Sequence, residues 1–214
     1  MTAAAPREKA FLLARPEQRL LEAIARRLPA RVRPDHLTAL ALAAAVGFPV
    51  AAATGRFWVC AALLVVHWLG DSLDGTLARV RRSERPRYGY YLDHLVDAVA
   101  TAAIGLGLGL SPHMLLATGL AIVIAYLVLS INTYLETQSL GVFSLGYGRF
   151  GPTEARIALI VLNTAMALGW IAGLDALVLA VVAVMLAALG VRVARNLREL
   201  AAREPAAAAA HAAG

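Results

Sequence analysis

Residues 71–97 read DSLDGTLARVRRSERPRYGYYLDHLVD, which places four carboxylates in stretches otherwise apolar enough to lie inside a membrane. A charged side chain in hydrocarbon is expensive, so such a residue points to function by default. Asp71 and Asp74 are three residues apart and Asp93 and Asp97 are four apart, so each pair shares one helix face. Two helices facing each other across the basic turn between them present four hard oxygen ligands to one pocket. That donor set suits Mg²⁺ or Mn²⁺ rather than zinc.

The surrounding composition is that of a membrane protein. The chain is 60% hydrophobic with a mean hydropathy of +0.67, and its apolar runs reach the roughly 20 residues that cross a bilayer. They predict an all-α, integral membrane, six-transmembrane-helix bundle, with spans at about 35–54, 57–79, 88–110, 113–136, 152–171 and 173–194. Residues 16–29 predict an N-terminal interfacial amphipathic helix, with Leu20, Leu21, Ile24 and Leu28 on one face and Arg19, Glu22 and Arg26 on another. Pro34 and Asp35 read as the stop and N-cap before the first span. The organisation is therefore a cytoplasmic N-terminal segment (1–34), a six-helix transmembrane domain (35–199) and a disordered, alanine-rich tail (200–214). Met1 to Pro34 is basic and lacks the compact apolar core of a secretory signal. The single Cys60 excludes an intrachain disulfide and a cysteine metal site.

A net charge of +6 and a pI near 10.1 raise nucleic acid as a partner, but the charge distribution argues against it. Eight Lys/Arg precede the first span, five lie at Arg79–Arg87, Arg149 and Arg156 flank span five, and four follow Gly190. With six spans all of these fall on one side, opposite Arg56. The positive-inside bias then puts both termini and the aspartate mouth in the cytoplasm. The partner is the lipid bilayer, in a bacterium the plasma membrane, and no nucleic acid.

On a helical net Asp71, Asp74, Gly75 and Ala78 fall within an arc of about 100°, and Gly89, Asp93 and Asp97 form a second stripe. Both aspartate pairs lie roughly 8–14 Å inside the cytoplasmic boundary, at matched depth. Ion pairing with Arg79, Arg81 or Arg82 explains the deep Asp71 and Asp97 poorly, because arginines near a membrane surface snorkel outward. His67 and His94 flank the aspartates and are read as local packing groups. Tyr134 and Glu136, at the end of span four, are placed to border the same cavity.

The segment Asp71-Ser-Leu-Asp74-Gly75-Thr-Leu-Ala78-Arg79, followed after nine residues by Gly89-x-x-x-Asp93-x-x-x-Asp97, resembles the signature of the CDP-alcohol phosphotransferase family. The resemblance implies transfer of a phosphoalcohol or phosphatidyl group from a CDP-linked donor to an acceptor hydroxyl, with release of CMP, in phospholipid biosynthesis. It implies that Asp71, Asp74, Asp93 and Asp97 hold one or two divalent ions, Mg²⁺ or Mn²⁺, and that Asp97 is the catalytic general base. It further implies that Asp74, Gly75, Ala78, Arg79 and Gly89 bind the nucleotide, and that the protein is a homodimer.

Arg149, Glu154 and Arg156 at the start of span five are candidate acceptor-binding residues, their alternative role being helix capping and positive-inside anchoring. The end of span four reads Tyr134-Leu-Glu136-Thr-Gln-Ser, without the basic residues found in relatives that use phosphorylated polyols. Donor and acceptor therefore stay open between CDP-diacylglycerol with a polar acceptor and a CDP-amino-alcohol with a lipid acceptor. Two other classes fit the aspartate cluster less well. These are a cation-coupled transporter, which needs access from both sides, and a non-catalytic membrane scaffold.

Overall fold

The computed structural model describes residues 14–141, 152–171 and 173–212, with side chains described for 16–141, 155–171 and 173–203. These residues form helices and no strand. In chain order they are α1 (Ala14–Arg27), α2 (Pro34–Ala53), α3 (Phe57–Val80), α4 (Pro86–Gly109), α5 (Leu116–Leu140), α6 (Pro152–Ala167) and α7 (Asp175–Ala212). Five segments are long and apolar enough to cross a membrane: α2, α3, α4, α5 and the Asp175–Arg203 part of α7. At 16 residues, α6 is shorter than the stretch expected over 152–171. Its end is set by Gly169, which takes a left-handed φ of 72° while the Trp170 N–H closes back onto Ala165 O at 2.9 Å.

The bundle is organised around α2, which packs along both α3 and α4; α5 then packs on α4, α6 on α3 and α7 on α5. Small residues let these helices approach closely, as membrane helices require when apolar burial alone does not favour association. Gly70 faces α2 so tightly that a Cβ there would lie 2.6 Å from Leu37 O and 2.9 Å from Ala41 Cβ. At the α4–α5 crossing a Cβ on Gly119 would meet Gly105 O at 2.6 Å and Gly109 Cα at 2.8 Å.

Two apolar clusters mark the two ends of the bundle. Phe48, Ala52, Phe57, Leu64, Leu108 and Met166 belong to the first, at the end remote from the aspartates. The second joins Leu21 and Ala25 of α1 to Leu37 of α2 and Leu73 and Leu77 of α3. The first and the Asp71–Arg156 pair described below fix the course of α6. It runs antiparallel to α3, with Arg156 reaching Asp71 and Met166 packing in the cluster of Phe57, residues about 15 Å apart along α6.

At the N-terminal end α2 begins one residue earlier than the expected cap. Pro34 occupies the first helical turn and Arg33 is the N-cap; proline suits that position because its missing N–H is one that the helix leaves unpaired anyway. Asp35 instead pairs with Arg85 across the α3–α4 turn. The face of α1 holding Leu21, Ile24, Ala25 and Leu28 packs against the α3 cluster, whereas Leu20 stays exposed. Glu17 ties the same helix to α3, accepting from Trp68 Nε1 at 3.0 Å and from Ser72 Oγ at 3.4 Å. Arg81 completes the attachment. Its guanidinium donates to Leu28 O at 3.1 Å, Pro29 O at 2.9 Å, Ala30 O at 3.4 Å and Val32 O, tying down the α1–α2 linker.

Two stability predictions follow from these contacts. Gly70→Val should force α2 and α3 apart and destabilise the protein by about 1–3 kcal/mol, read as a lower midpoint of thermal unfolding in detergent. Arg81→Met should release the linker, so that limited proteolysis between residues 28 and 33 accelerates while the spans remain resistant; an unchanged cleavage pattern would refute the clamp.

Candidate active site

The aspartates lie on α3 and α4, and these two helices lean on α2 rather than closely on each other. α3 and α4 are thus held apart along α2, leaving a cleft between their aspartate-bearing faces. Counting from the helix ends, Asp71 is nine residues inside α3 and Asp97 eleven inside α4, so both lie about 14–16 Å in. Asp74 and Asp93 stand about one turn nearer the mouth. Asp71, Asp74 and Asp93 are all within electrostatic range of Asp97.

The deep pair meets a cation that comes from a third helix. Arg156 Nη2 on α6 donates to Asp71 Oδ2 at 2.6 Å and stands 3.7 Å from Asp97 Oδ1. The Arg156 and Asp71 side chains are only 17% and 13% exposed, so this pair belongs to the interior. His67 and Tyr126 lie within electrostatic range of the same guanidinium. Asp74 is held differently: its Oδ2 accepts from Thr38 Oγ1 of α2 at 2.5 Å and its Oδ1 from the Gly75 N–H at 2.5 Å. Among the described residues no three Asp, Glu, His or Cys side chains are gathered as a ready-made metal cage.

The residues expected to bind a nucleotide line the mouth of the cleft. Arg79 folds back along α3, donating from Nη2 to Thr76 Oγ1 at 3.0 Å, and its Nη1 lies 3.5 Å from where a Gly75 Cβ would stand. Gly89, across the cleft on the first turn of α4, has open space around its Cβ position. Gly75 and Arg79 are therefore brought together, with Ala78 on the adjoining turn, and Gly89 keeps the opposite wall low.

The flanking histidines have packing roles. His67 is buried and its Nδ1 donates to Ala41 O of α2 at 3.1 Å. His94 Nδ1 bonds Tyr90 O at 2.6 Å, and its ring meets Tyr134 edge-on at 5.2 Å, joining α4 to α5. Of the acceptor candidates, Arg149 lies outside the described residues, as does the side chain of Glu154, whereas Arg156 sits on the aspartates. Sequence reasoning missed the pairing of Glu136 on α5 with Arg192 on α7, whose side chains are 9% and 13% exposed. The available signal was one acidic and one basic residue bordering long apolar runs. A hollow of about 420 Å³ at the far end of the bundle is lined by Gly55–Val59, Met166 and Ala167 and contains no carboxylate. It is remote from this chemistry.

A family model described as CDP-alcohol phosphatidyltransferase matches residues 31–191. Comparison with curated proteins finds no match. The matched region takes in α2 to α6 and α7 as far as Val191, and with it every described residue of the cleft. The chain belongs to the CDP-alcohol phosphatidyltransferase family, whose members are membrane transferases that pass a phosphoalcohol from a CDP-alcohol to an acceptor and generally depend on a divalent metal. Five apolar helices and this membership make it an integral membrane protein.

Proposed function

We propose that this chain catalyses a Mg²⁺- or Mn²⁺-dependent transfer of a phosphoalcohol or phosphatidyl group from a CDP-linked donor to an acceptor hydroxyl, releasing CMP in phospholipid synthesis. The observation that carries the reading is the meeting of Asp71 and Asp97, from facing helices, at one cationic nitrogen of Arg156. The cleft already stabilises a cation between two hard carboxylates, and Asp74 and Asp93 add two more toward its mouth. These four residues fit one or two divalent ions. When bound, the metal supplies neutralisation of charge on the donor pyrophosphate and on the departing CMP.

The chain's own groups divide the remaining work. Thr38 and the Gly75 N–H orient Asp74 through both of its oxygens. Arg79, held by Thr76 beside Gly75, offers its guanidinium fork to phosphate oxygens. Gly75, Ala78 and Gly89 leave room for the nucleotide. Asp97 is assigned the general base. At 3.7 Å its Oδ1 is beyond hydrogen-bond reach of Arg156, so the carboxylate keeps capacity to take the proton of the acceptor hydroxyl. Arg149, Glu154 and Arg156 are proposed to border the acceptor, whose identity stays with experiment.

For topology, α6 is proposed as a sixth crossing, because it follows α3 from the aspartate level to the opposite end of the bundle. Six crossings put both termini and the cleft mouth on the cytoplasmic side, where the basic segments lie. Helix α1, attached to α3, would then lie at the interface, and the functional unit is proposed as a homodimer.

The deciding assay is metal-dependent CMP release by the protein reconstituted in liposomes. CDP-diacylglycerol with pooled polar acceptors is compared with CDP-choline or CDP-ethanolamine plus diacylglycerol. One donor class should yield CMP, and chelation should abolish the release. Asp97→Asn should lower turnover by about 10²–10⁴-fold with the fold retained; silence from both donor sets with nucleotide binding intact would favour a non-catalytic scaffold. Gly89→Val probes the open wall: its unfolding midpoint should stay within a degree or two of wild type, about 0.5 kcal/mol, while nucleotide affinity falls. Unchanged nucleotide affinity would remove Gly89 from the site.

A further inference from the structure

Arg156 has a role in the cleft that acceptor binding alone does not explain. Its Nη2 stands between Asp71 and Asp97, which come from two different helices that do not otherwise pack closely. Two carboxylates facing each other in an apolar bundle repel, Asp71 being 13% and Asp97 36% exposed, and the nearest arginines in sequence are engaged elsewhere. Arg79 bonds Thr76 and Arg81 clamps the α1–α2 linker. The compensating charge comes instead from α6, 85 residues away in sequence.

We infer that Arg156 is a positioning residue that holds Asp71 and Asp97 facing one another and is exchanged for a divalent ion when that ion binds. The inference rests on the divalent-ion reading of the aspartates proposed above. A guanidinium does not lose its proton under these conditions, so it can leave only as a cation. Binding of the divalent ion is therefore an exchange of cations at Asp71 and Asp97, and Arg156 competes with it. Because the displaced guanidinium needs a new anion, any ligand phosphate within its reach lowers the free-energy cost of the exchange. Ion and phosphate binding become mutually reinforcing, as linkage requires.

The test is Mn²⁺ binding to the purified full chain in detergent without nucleotide, measured from the electron paramagnetic resonance signal of the free ion. Arg156→Gln should bind Mn²⁺ about tenfold more tightly than wild type, and Arg156→Lys should fall between the two. Without Mn²⁺ the unfolding midpoint of Arg156→Gln should drop, and Mn²⁺ should raise it by more than it raises that of wild type. Unchanged or weaker Mn²⁺ affinity in a folded variant overturns the inference. If Arg156→Gln does not fold, Arg156→Lys decides on the same criterion. The Asp71→Asn/Asp97→Asn double variant separates the two claims. Loss of Mn²⁺ binding there without tightening in the arginine variants defeats this inference alone. Binding that persists in the double variant defeats this inference, and binding that persists when Asp74 and Asp93 are also replaced by asparagine defeats the metal reading with it.

Discussion

Two carboxylates held deep among apolar helices require a compensating cation, and much of the arrangement of this bundle can be read from how that requirement is met. Asp71 and Asp97 face each other from α3 and α4, and Arg156 reaches both from α6. Burying a charge is tolerable only when it is paired and hydrogen-bonded. Arg156 meets that requirement for Asp71 by a hydrogen bond and stands 3.7 Å from Asp97, so α3, α4 and α6 come together at one depth. Asp74 meets the same requirement by hydrogen bonding, with Thr38 on α2 and the Gly75 N–H each occupying one oxygen. The same interactions that make the charges tolerable also aim the carboxylates at the cleft.

The cleft exists because α2 carries the packing. α3 approaches it at Gly70 and α4 at Gly107, both without room for a side chain. With both helices bound to α2, α3 and α4 need not close on one another, and the polar residues between them remain accessible from the mouth. Opposite the cleft, the apolar cluster of Phe48, Phe57, Leu108 and Met166 closes the far end. The outcome is a site open at one end and packed at the other, which suits a donor with a charged head. Packing and chemistry are thus divided along the helix axes.

The arginines show how one residue type is put to several uses. In the run from Arg79 to Arg87, Arg79 turns back beside Gly75, Arg81 satisfies the carbonyls of the α1–α2 linker, and Arg85 pairs with Asp35 while lying over the Tyr88 ring at 4.0 Å. A count of positive charge treats these as one surface patch. The folded chain separates them into a guanidinium at the site mouth, a structural clamp and a surface pair. Glu136 and Arg192 add a further ion pair between α5 and α7, at the periphery of the bundle.

The amino-acid sequence by itself determined the helical membrane architecture, the sharing of one face by each aspartate pair, and the family to which the 71–97 signature points. These depend on apolar length and on helical periodicity, which are properties of neighbouring residues. It also carried the packing readings of His67 and His94, since each histidine bonds within its own helix or to an adjoining one. Other features were outside its reach. The N-cap moved from Asp35 to Arg33 because Pro34 entered the first turn, and α6 stopped at Ala167 because Gly169 reversed the backbone. Above all, the partner of Asp71 was an arginine 85 residues downstream rather than one of those beside it. That choice belongs to tertiary structure, because it depends on which helix lies against α3 and at what depth; local spacing contains neither quantity.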